Sequence, residues 1–282
     1  MASFVYNGGE LEVSEDMKKA FNTDGYIVVK GLWREKELSV VEEALTGEDA
    51  ITQYAYGNED KDGKEARMCI WSYTGNDTTG TIARTRKMAY TAEQLIGGEV
   101  YHYHSKLMMK EAHSGGRFHW HQDYGYWYNF AFLFPDMITA FVALDKCDEE
   151  NGCLQVIRGS HRCGRIGHGV MAGQVGADES RVKDIQTALD TVYVPLSPGD
   201  TLFFHANLLH CSAPNTSPRR RWALLSCYSR ADNKPYDKVI CSEYRPLEMT
   251  DNEAVLRQGV NCDLDGKEIT MKVNNEYKVV RP

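Results

Sequence analysis

Residues 118–129, FHWHQDYGYWYN, set His119, His121 and Asp123 at alternating positions inside a run of aromatics. On an extended strand, residues two apart share a face, so the three polar groups would point together while Phe118, Trp120 and Gln122 point away. Imidazoles beside a carboxylate are metal-ligand types. Such a set suits zinc, non-haem iron or a hydrogen-bonded polar patch, and this stretch alone does not choose among them. A second pair of histidines, His205 and His210, lies in PGDTLFFHANLLHCSAPNTSPRRRWALLSCY, residues 198–228. Turn-forming Asn, Pro and Ser follow, then Arg219, Arg220 and Arg221, the last of them eleven residues after His210.

The elements that must present these residues can be read from apolar period and turn chemistry. SEDMKKAFNTDG, with Gly25 as a stop, predicts a helix that feeds the β-branched run YIVVKG. REKELSVVEEALTG predicts a second helix, and TTGTIARTRKMAYTAEQLIGG a third, ended by a glycine pair. The texture then changes. VYHYHSKLMMK, MITAFVALD, GCLQVI, TVYVPL, DTLFFHA and RWALLSCYS are short, rich in β-formers and separated by Gly, Pro, Asn and Asp. They predict an antiparallel β-sandwich or barrel with helices in front of it. With 282 residues and 42% hydrophobic content the chain can bury one large core. A single domain over 1–282 is expected: a helical N-terminal part over about 1–98, a β core over about 99–232 and a C-terminal extension over 233–282. In that extension DLDGKEITMKV reads as a hairpin turning at Asp-Gly.

A formal net charge of −8 argues against nucleic acid or an anionic membrane as partner and favours a small-molecule substrate. Eight cysteines without a CxxC pair argue against a zinc ribbon or a redox motif, and reduced thiols fit a cytoplasmic setting. The opening MASFVYNGGE has neither the basic nor the apolar region of a signal peptide, and no run approaches the roughly 18 apolar residues of a membrane span. No sequence feature sets the oligomeric state.

In order along the chain, HWHQDYGYW, GCLQVIRGSH, PGDTLFFHANLLHCSAPNTSPRRR and CYSRADN resemble the phytanoyl-CoA hydroxylase superfamily of iron(II), 2-oxoglutarate-dependent dioxygenases, and within it the ectoine and free-proline hydroxylases. The similarity covers about residues 99–233. It implies an α+β protein whose all-β core is a double-stranded β-helix, the cupin-like jelly roll, with flanking helices. It also implies that His121, Asp123 and His210 form the catalytic two-histidine, one-carboxylate facial triad, which leaves cis positions for the ketoacid and for dioxygen. By the same resemblance Arg221 grips the far carboxylate of 2-oxoglutarate through its guanidinium fork and Ser212 adds a hydroxyl. His119 then acts outside the ligand set, His205 is a core histidine, and Arg219 and Arg220 are solvated turn charges. Iron(II), 2-oxoglutarate and dioxygen are the implied metal and cosubstrates, with ascorbate as the reductant in vitro.

Alternation in YHYHSKLMMK puts His104, Lys106 and Met108 on one face. The related hydroxylases turn polar residues of this strand toward the pocket, so Lys106 is a candidate for 2-oxoglutarate and His104 for the substrate. Met108 stands where the relatives carry an asparagine. Ser160 and His161 of the GSH turn are expected to hold the pocket together, and Arg158, in place of the relatives' proline, to bring a cation beside it. Tyr126 and Trp127 are candidate substrate walls able to capture an ammonium through their ring faces, with Asn129 adding a polar contact.

Asp123 occupies a position that related halogenases give to a small residue, which points to hydroxylation. The expected reaction hydroxylates a C–H bond and releases succinate and carbon dioxide. The ectoine and proline hydroxylases act on small zwitterions, and the added cations His104, Lys106, Arg117 and Arg158 suit a strong anion. The expected substrate is therefore an aminophosphonate such as 2-aminoethylphosphonate, or a free amino acid. A phytanoyl-CoA-like acyl hydroxylase, a zinc hydrolase and a non-catalytic iron or 2-oxoglutarate sensor are the rival readings.

Overall fold

The computed structural model describes residues 2–60, 63–113, 115–171, 174–237, 243–273 and 276–282. Helix α1 (Glu15–Asp24) begins where Ser14 accepts the N–H of Met17 and ends at Gly25, so its cap and stop are those the sequence supplies. Helix α2 (Glu35–Thr46) follows. The third expected helix is two, α3 (Thr78–Arg84) and α4 (Arg86–Ile96). They break at Thr85, whose backbone is extended because the chain pairs there with Thr250: Thr250 donates to the carbonyl of Arg84 at 2.8 Å, and Arg86 donates to that of Thr250 at 2.9 Å. Three short or peripheral helices complete the set among the described residues: α5 (Asp123–Trp127), α6 (Glu179–Ala188) and α7 (Ala254–Gln258). No helix among the described residues is long and apolar enough to cross a membrane.

The strands in chain order are β1 (Ser3–Val5), β2 (Tyr26–Lys30), β3 (Tyr56–Glu59), β4 (Glu65–Ser72), β5 (Val100–Lys110), β6 (Phe118–His121), β7 (Met137–Ala143) and β8 (Leu154–Ile157). After them come β9 (His168–Met171), β10 (Gln174–Ala177), β11 (Thr191–Val194), β12 (Thr201–His205), β13 (His210–Ser212), β14 (Arg221–Arg230), β15 (Glu268–Val273) and β16 (Glu276–Val280). The large sheet runs β1-β2-β12-β7-β14-β5-β4-β15-β16 with β3 beside β4, and the smaller one β11-β8-β13-β6. Among the described strand pairs only β1 with β2 is parallel, beside the isolated parallel bridge of Thr85 with Thr250.

Strand alternation sorts the core. Ile27, Val29, Ala140, Val142 and Leu224 face the helices together with Met17, Val41 and Met88. Tyr26, Val28, Phe141, Leu202 and Leu225 face inward, where they meet Leu154 and Val156 of the smaller sheet. A jelly roll results, its two sheets enclosing an interior that can house a site.

The expected helical N-terminal part therefore also supplies β1 to β4. The expected Asp-Gly hairpin differs as well. Asp265 and Gly266 precede β15, which pairs with β4 and with β16, so the hairpin of the extension is β15 with β16 and does not close across Asp-Gly. The Lys267 ammonium, next to Gly266, is buried against Asp77 at 3.0 Å, which pins the extension to the start of α3. Seven cysteines are described as free thiols, and Cys241 lies outside the described residues.

Candidate metal centre and cosubstrate pocket

Antiparallel pairing of β6 with β13 sets His121 directly opposite His210, with ring centroids 4.1 Å apart. The alternation expected through Asp123 stops at His121, because Gln122 is the last extended residue and Asp123 opens α5. The cause is a tertiary contact: Tyr124 donates its N–H to the Ala206 carbonyl at 3.0 Å, which bends the chain out of the strand and over the β12–β13 turn. Asp123 still arrives at the histidines. Ligand atoms of His121, Asp123 and His210 lie within 4.8 Å of one another, the one such cluster among the described residues.

Each imidazole is oriented by its own strand. Nδ1 of His121 donates to the His119 carbonyl at 2.7 Å and Nδ1 of His210 to the Leu208 carbonyl at 2.9 Å, which leaves both Nε2 lone pairs for a metal. Burial, then the neighbouring His210, pushes His121 down to about 3, and burial lowers His210 too. Both are neutral, the ligating form. Burial pulls the Asp123 carboxyl up, but Lys106 and the two imidazoles outweigh it and hold the group below the ordinary carboxylate range. Tyr126 donates to Oδ1 of Asp123 at 2.5 Å and Thr139 to Oδ2 at 3.0 Å, while the Lys106 ammonium stands 3.6 Å from Oδ1. A carboxylate has about four lone-pair directions, so the clamp still leaves room for a metal bond. Two neutral imidazoles and an ionised, oriented carboxylate fit iron(II).

A loop clasps the turn between the ligands. Gln122 is fully buried; its amide donates to the carbonyls of Gly164 and Asn207, each at 2.8 Å, and its oxygen accepts from Ile166. Its backbone N–H donates to Nε2 of His168 at 3.0 Å, while Nδ1 of His168 donates to the Ile166 carbonyl. Ser160 accepts the Leu209 N–H at 2.9 Å, one residue before His210, and His161 bonds the Asn22 carbonyl.

A second polar centre lies farther along the interior. Arg221 and Lys110 are direct partners across β14 and β5, only 2% and 1% exposed. The Lys110 ammonium donates to Ser212 Oγ at 2.8 Å and to the Ala213 carbonyl, and Arg221 donates to the Gly152 carbonyl at 2.9 Å. Gly152 sits at φ 75° and a Cβ there would meet the Ala213 oxygen at 2.2 Å, so only glycine lets these acceptors close up. Neither cation has a carboxylate partner among the described residues, and Nε of Arg221 is buried without any partner. Burial lowers both, and Arg221 pulls Lys110 down further. Two adjacent buried cations with no counter-charge describe an anion site.

A family model described as phytanoyl-CoA dioxygenase (PhyH) matches residues 21–223. The chain belongs to this family. It is similar to the L-proline trans-4-hydroxylase of Streptomyces griseoviridis, 32% identical over 58% of this chain and 67% of that protein. It is also similar to the ectoine dioxygenase of Bordetella parapertussis, 25% identical over 81% of this chain and 80% of the relative. Among solved structures, EctD from S. alaskensis with 2-oxoglutarate and 5-hydroxyectoine superposes with a TM-score of 0.69 at 21% identity, covering 84% of this chain and 87% of that one. This PhyH protein is thus a 2-oxoglutarate-dependent non-haem iron dioxygenase of the hydroxylase group, with iron, 2-oxoglutarate and dioxygen as its metal and cosubstrates.

The remaining residues singled out from the sequence divide between the PhyH pocket and its exterior. Strand β5 bulges at Tyr103, since Cys227 pairs with His104 and Tyr228 with His102. Tyr103 and His104 both lean on Trp127, each with centroids 5.3 Å away. Lys106, the candidate for 2-oxoglutarate, sits beside Asp123, 3.2 Å from the Tyr126 hydroxyl. Tyr126 and Trp127, expected as walls for a substrate ammonium, hold this protein's own ammonium, with Lys106 Nζ 5.6 and 5.3 Å from the two ring centroids. Arg158 is corrected outright. Strand β8 ends at Ile157, and the turn that follows carries the guanidinium outward to Asp190 at 2.6 Å, with 42% of the side chain exposed.

Asn129 is exposed in a 3-10 turn after α5, and Arg117 is half-exposed beside Asp60. Met108 packs into the inner core. His119 lines a cleft of about 240 Å³ with Trp120, Glu179 and Lys183 that contains none of the three clustered ligands. His205 accepts the Asn207 N–H and packs against His161. Arg219 and Arg220 are surface charges with partners, Asp148 and Glu150 for the first, Asp145 and Glu42 for the second. Gln122, His168, Thr139 and Lys110 were not singled out as site residues from the sequence. Lys110 alone had a visible signal there, being the next even position of β5 after Met108.

Proposed function

We propose that His121, Asp123 and His210 hold the iron, that Arg221, Lys110 and Ser212 receive the far carboxylate of 2-oxoglutarate, and that the enzyme hydroxylates a C–H bond of a small substrate with an anionic head, an aminophosphonate such as 2-aminoethylphosphonate or a free amino acid. The observation that carries this reading is the unpaired cation pair Arg221 and Lys110. Ser212 lies two residues along β13 from His210 on the same face, a separation of roughly 6–7 Å, which matches the reach of a five-carbon diacid anchored at the histidine. A zinc hydrolase has no use for such a pair. Bound iron, with 2-oxoglutarate and dioxygen, supplies the oxidising power that ends in succinate, carbon dioxide and a new hydroxyl. The chain supplies placement: guanidinium and ammonium fix one end of the ketoacid, His121, the clamped Asp123 and His210 would hold the iron that its other end would meet, and the aromatic wall of Tyr103, Trp127 and Phe132 excludes water.

The substrate class is supported by the relatives, one named for L-proline and the other for ectoine, and by the buried positive charge of Lys106. The test is succinate release from 2-oxoglutarate with iron and ascorbate, measured alone and with 2-aminoethylphosphonate, proline, other small amino acids, ectoine and an acyl-CoA. Stimulation by the small acids is expected. Preferred stimulation by the acyl-CoA would replace this reading with the acyl-hydroxylase one, and no succinate under any condition would favour a sensor.

A further inference from the structure

We infer that the substrate is recognised at the reaction centre through its anionic group, with His104 and Lys106 as the receptor and, among the described residues, neither a buried carboxylate nor the ring faces of Tyr126 and Trp127 left for an ammonium. The inference rests on the hydroxylase reading above and concerns which end of the substrate faces the metal. Ring faces are the usual apolar receptor for an ammonium. Here the faces of Tyr126 and Trp127 are covered by the Lys106 ammonium, 5.6 and 5.3 Å from their centroids, so a second cation would meet a like charge there.

The charged receptor for an ammonium is a carboxylate. Among the described residues the buried carboxylates are Glu37, Asp60, Asp77, Asp123 and Asp200. Glu37 is taken by Lys87 and Asp77 by Lys267. Asp60 accepts the N–H groups of Lys64 and Arg117, and Asp200 those of Gly31 and Ser197. Asp123 alone stands in the pocket, already engaged by Tyr126, Thr139 and Lys106. No buried carboxylate is left for an amine.

For an anion the pocket is prepared. His104 and Lys106 share the inward face of β5, two residues apart. His104 is 7% exposed, and its Nε2 is buried without any partner. An unsatisfied ring nitrogen beside an ammonium can donate to an oxyanion, and carboxylate and phosphonate oxygens both accept such bonds. An amine elsewhere on the substrate points away from this receptor and adds nothing to it.

The test compares matched compounds on the anaerobic enzyme loaded with iron(II) and 2-oxoglutarate, reading the shift of the metal-to-ketoacid absorption band as each is added. One series is 2-aminoethylphosphonate, ethylphosphonate and ethylamine; the other is proline, cyclopentanecarboxylate and pyrrolidine. The acids without an amine should shift the band with a Kd within about threefold of the amino acids, and the amines without an acid should not shift it. In His104→Ala the Kd for the acids should rise about tenfold relative to that for 2-oxoglutarate. A shift that needs the amine, a shift by an amine alone, silence of every acid, or an unchanged Kd ratio in His104→Ala would each overturn the inference. Failure of the hydroxylase reading is distinct, since the band itself would then not form.

Discussion

At the scale of single residues, the ligand set makes the sharpest claim. His121→Ala, Asp123→Ala and His210→Ala should each abolish succinate formation and lower iron content after anaerobic reconstitution, because each removes one of three protein donors. His119→Ala should keep iron-dependent activity, since its ring lies in a separate cleft. Retention of iron by His121→Ala with loss in His119→Ala would reverse the assignment. The cation pair gives a second expectation. Arg221→Ala should raise the 2-oxoglutarate requirement by about 2–5 kcal/mol in binding terms, and Lys110→Ala should act in the same direction, because a desolvated carboxylate loses a charge-assisted partner. Arg219→Ala and Arg220→Ala should shift it little, as exposed ion pairs contribute about 0–1 kcal/mol. These measurements are titrations of succinate release against 2-oxoglutarate. Arg221 could be found from the sequence because a fixed spacing from His210 marks it. Lys110 showed there only its even position on β5; its meaning depends on the β5–β14 register that sets it beside Arg221.

At the scale of elements, the metal site depends on a piece of chain that the sequence disguised. The β9–β10 hairpin reads HGVM and QVGA, glycine-bearing and weakly patterned, and no strand was expected there. Yet His168, its first residue, holds the N–H of Gln122 between His121 and Asp123. A Cβ on Gly125 would stand 1.9 Å from the His168 ring. Gly125→Ala should therefore push the hairpin off the ligand turn and weaken iron binding about 10–100-fold, the range seen when partners of metal ligands are removed. His168→Ala should do the same, while His168→Gln, which can still accept from Gln122, should recover part of the affinity. Iron titration followed by the ketoacid absorption band checks all three. Strong helix and strand signals, such as those of α1 and β12, survived folding because local and tertiary preferences agree there. The break at Thr85 and the bend at Gln122 did not show, since both are imposed by distant backbone, Thr250 in one case and Ala206 in the other.

At the scale of the whole molecule, buried neutral histidines make stability sensitive to acid. Burial and nearby Lys267 push His102 down to about 3, and burial and His161 push His205 to about 3. The unfolded chain binds these protons near the ordinary value of 6.5, so stability is complete above about pH 6.5 and falls as pH drops toward 3. His205→Gln, which keeps an acceptor for the Asn207 N–H, should flatten that slope in denaturant midpoints measured between those limits. The fold class was legible because β-rich segments recur between turn residues. The role of the extension was not, for Lys267 becomes informative only when Asp77 is seen buried against it. Lys267→Ala should lower unfolding free energy by about 3–5 kcal/mol, read by chemical denaturation, since it strands a buried carboxylate. That pair also orders events during synthesis. Asp77 leaves the ribosome on the order of tens of seconds before Lys267 at ordinary elongation rates, and Tyr244, which buttresses Tyr101 behind the aromatic wall, comes only slightly earlier. Until then a nascent chain carries an uncompensated acid and an unbraced pocket, and it has no completed chamber in which to spend 2-oxoglutarate.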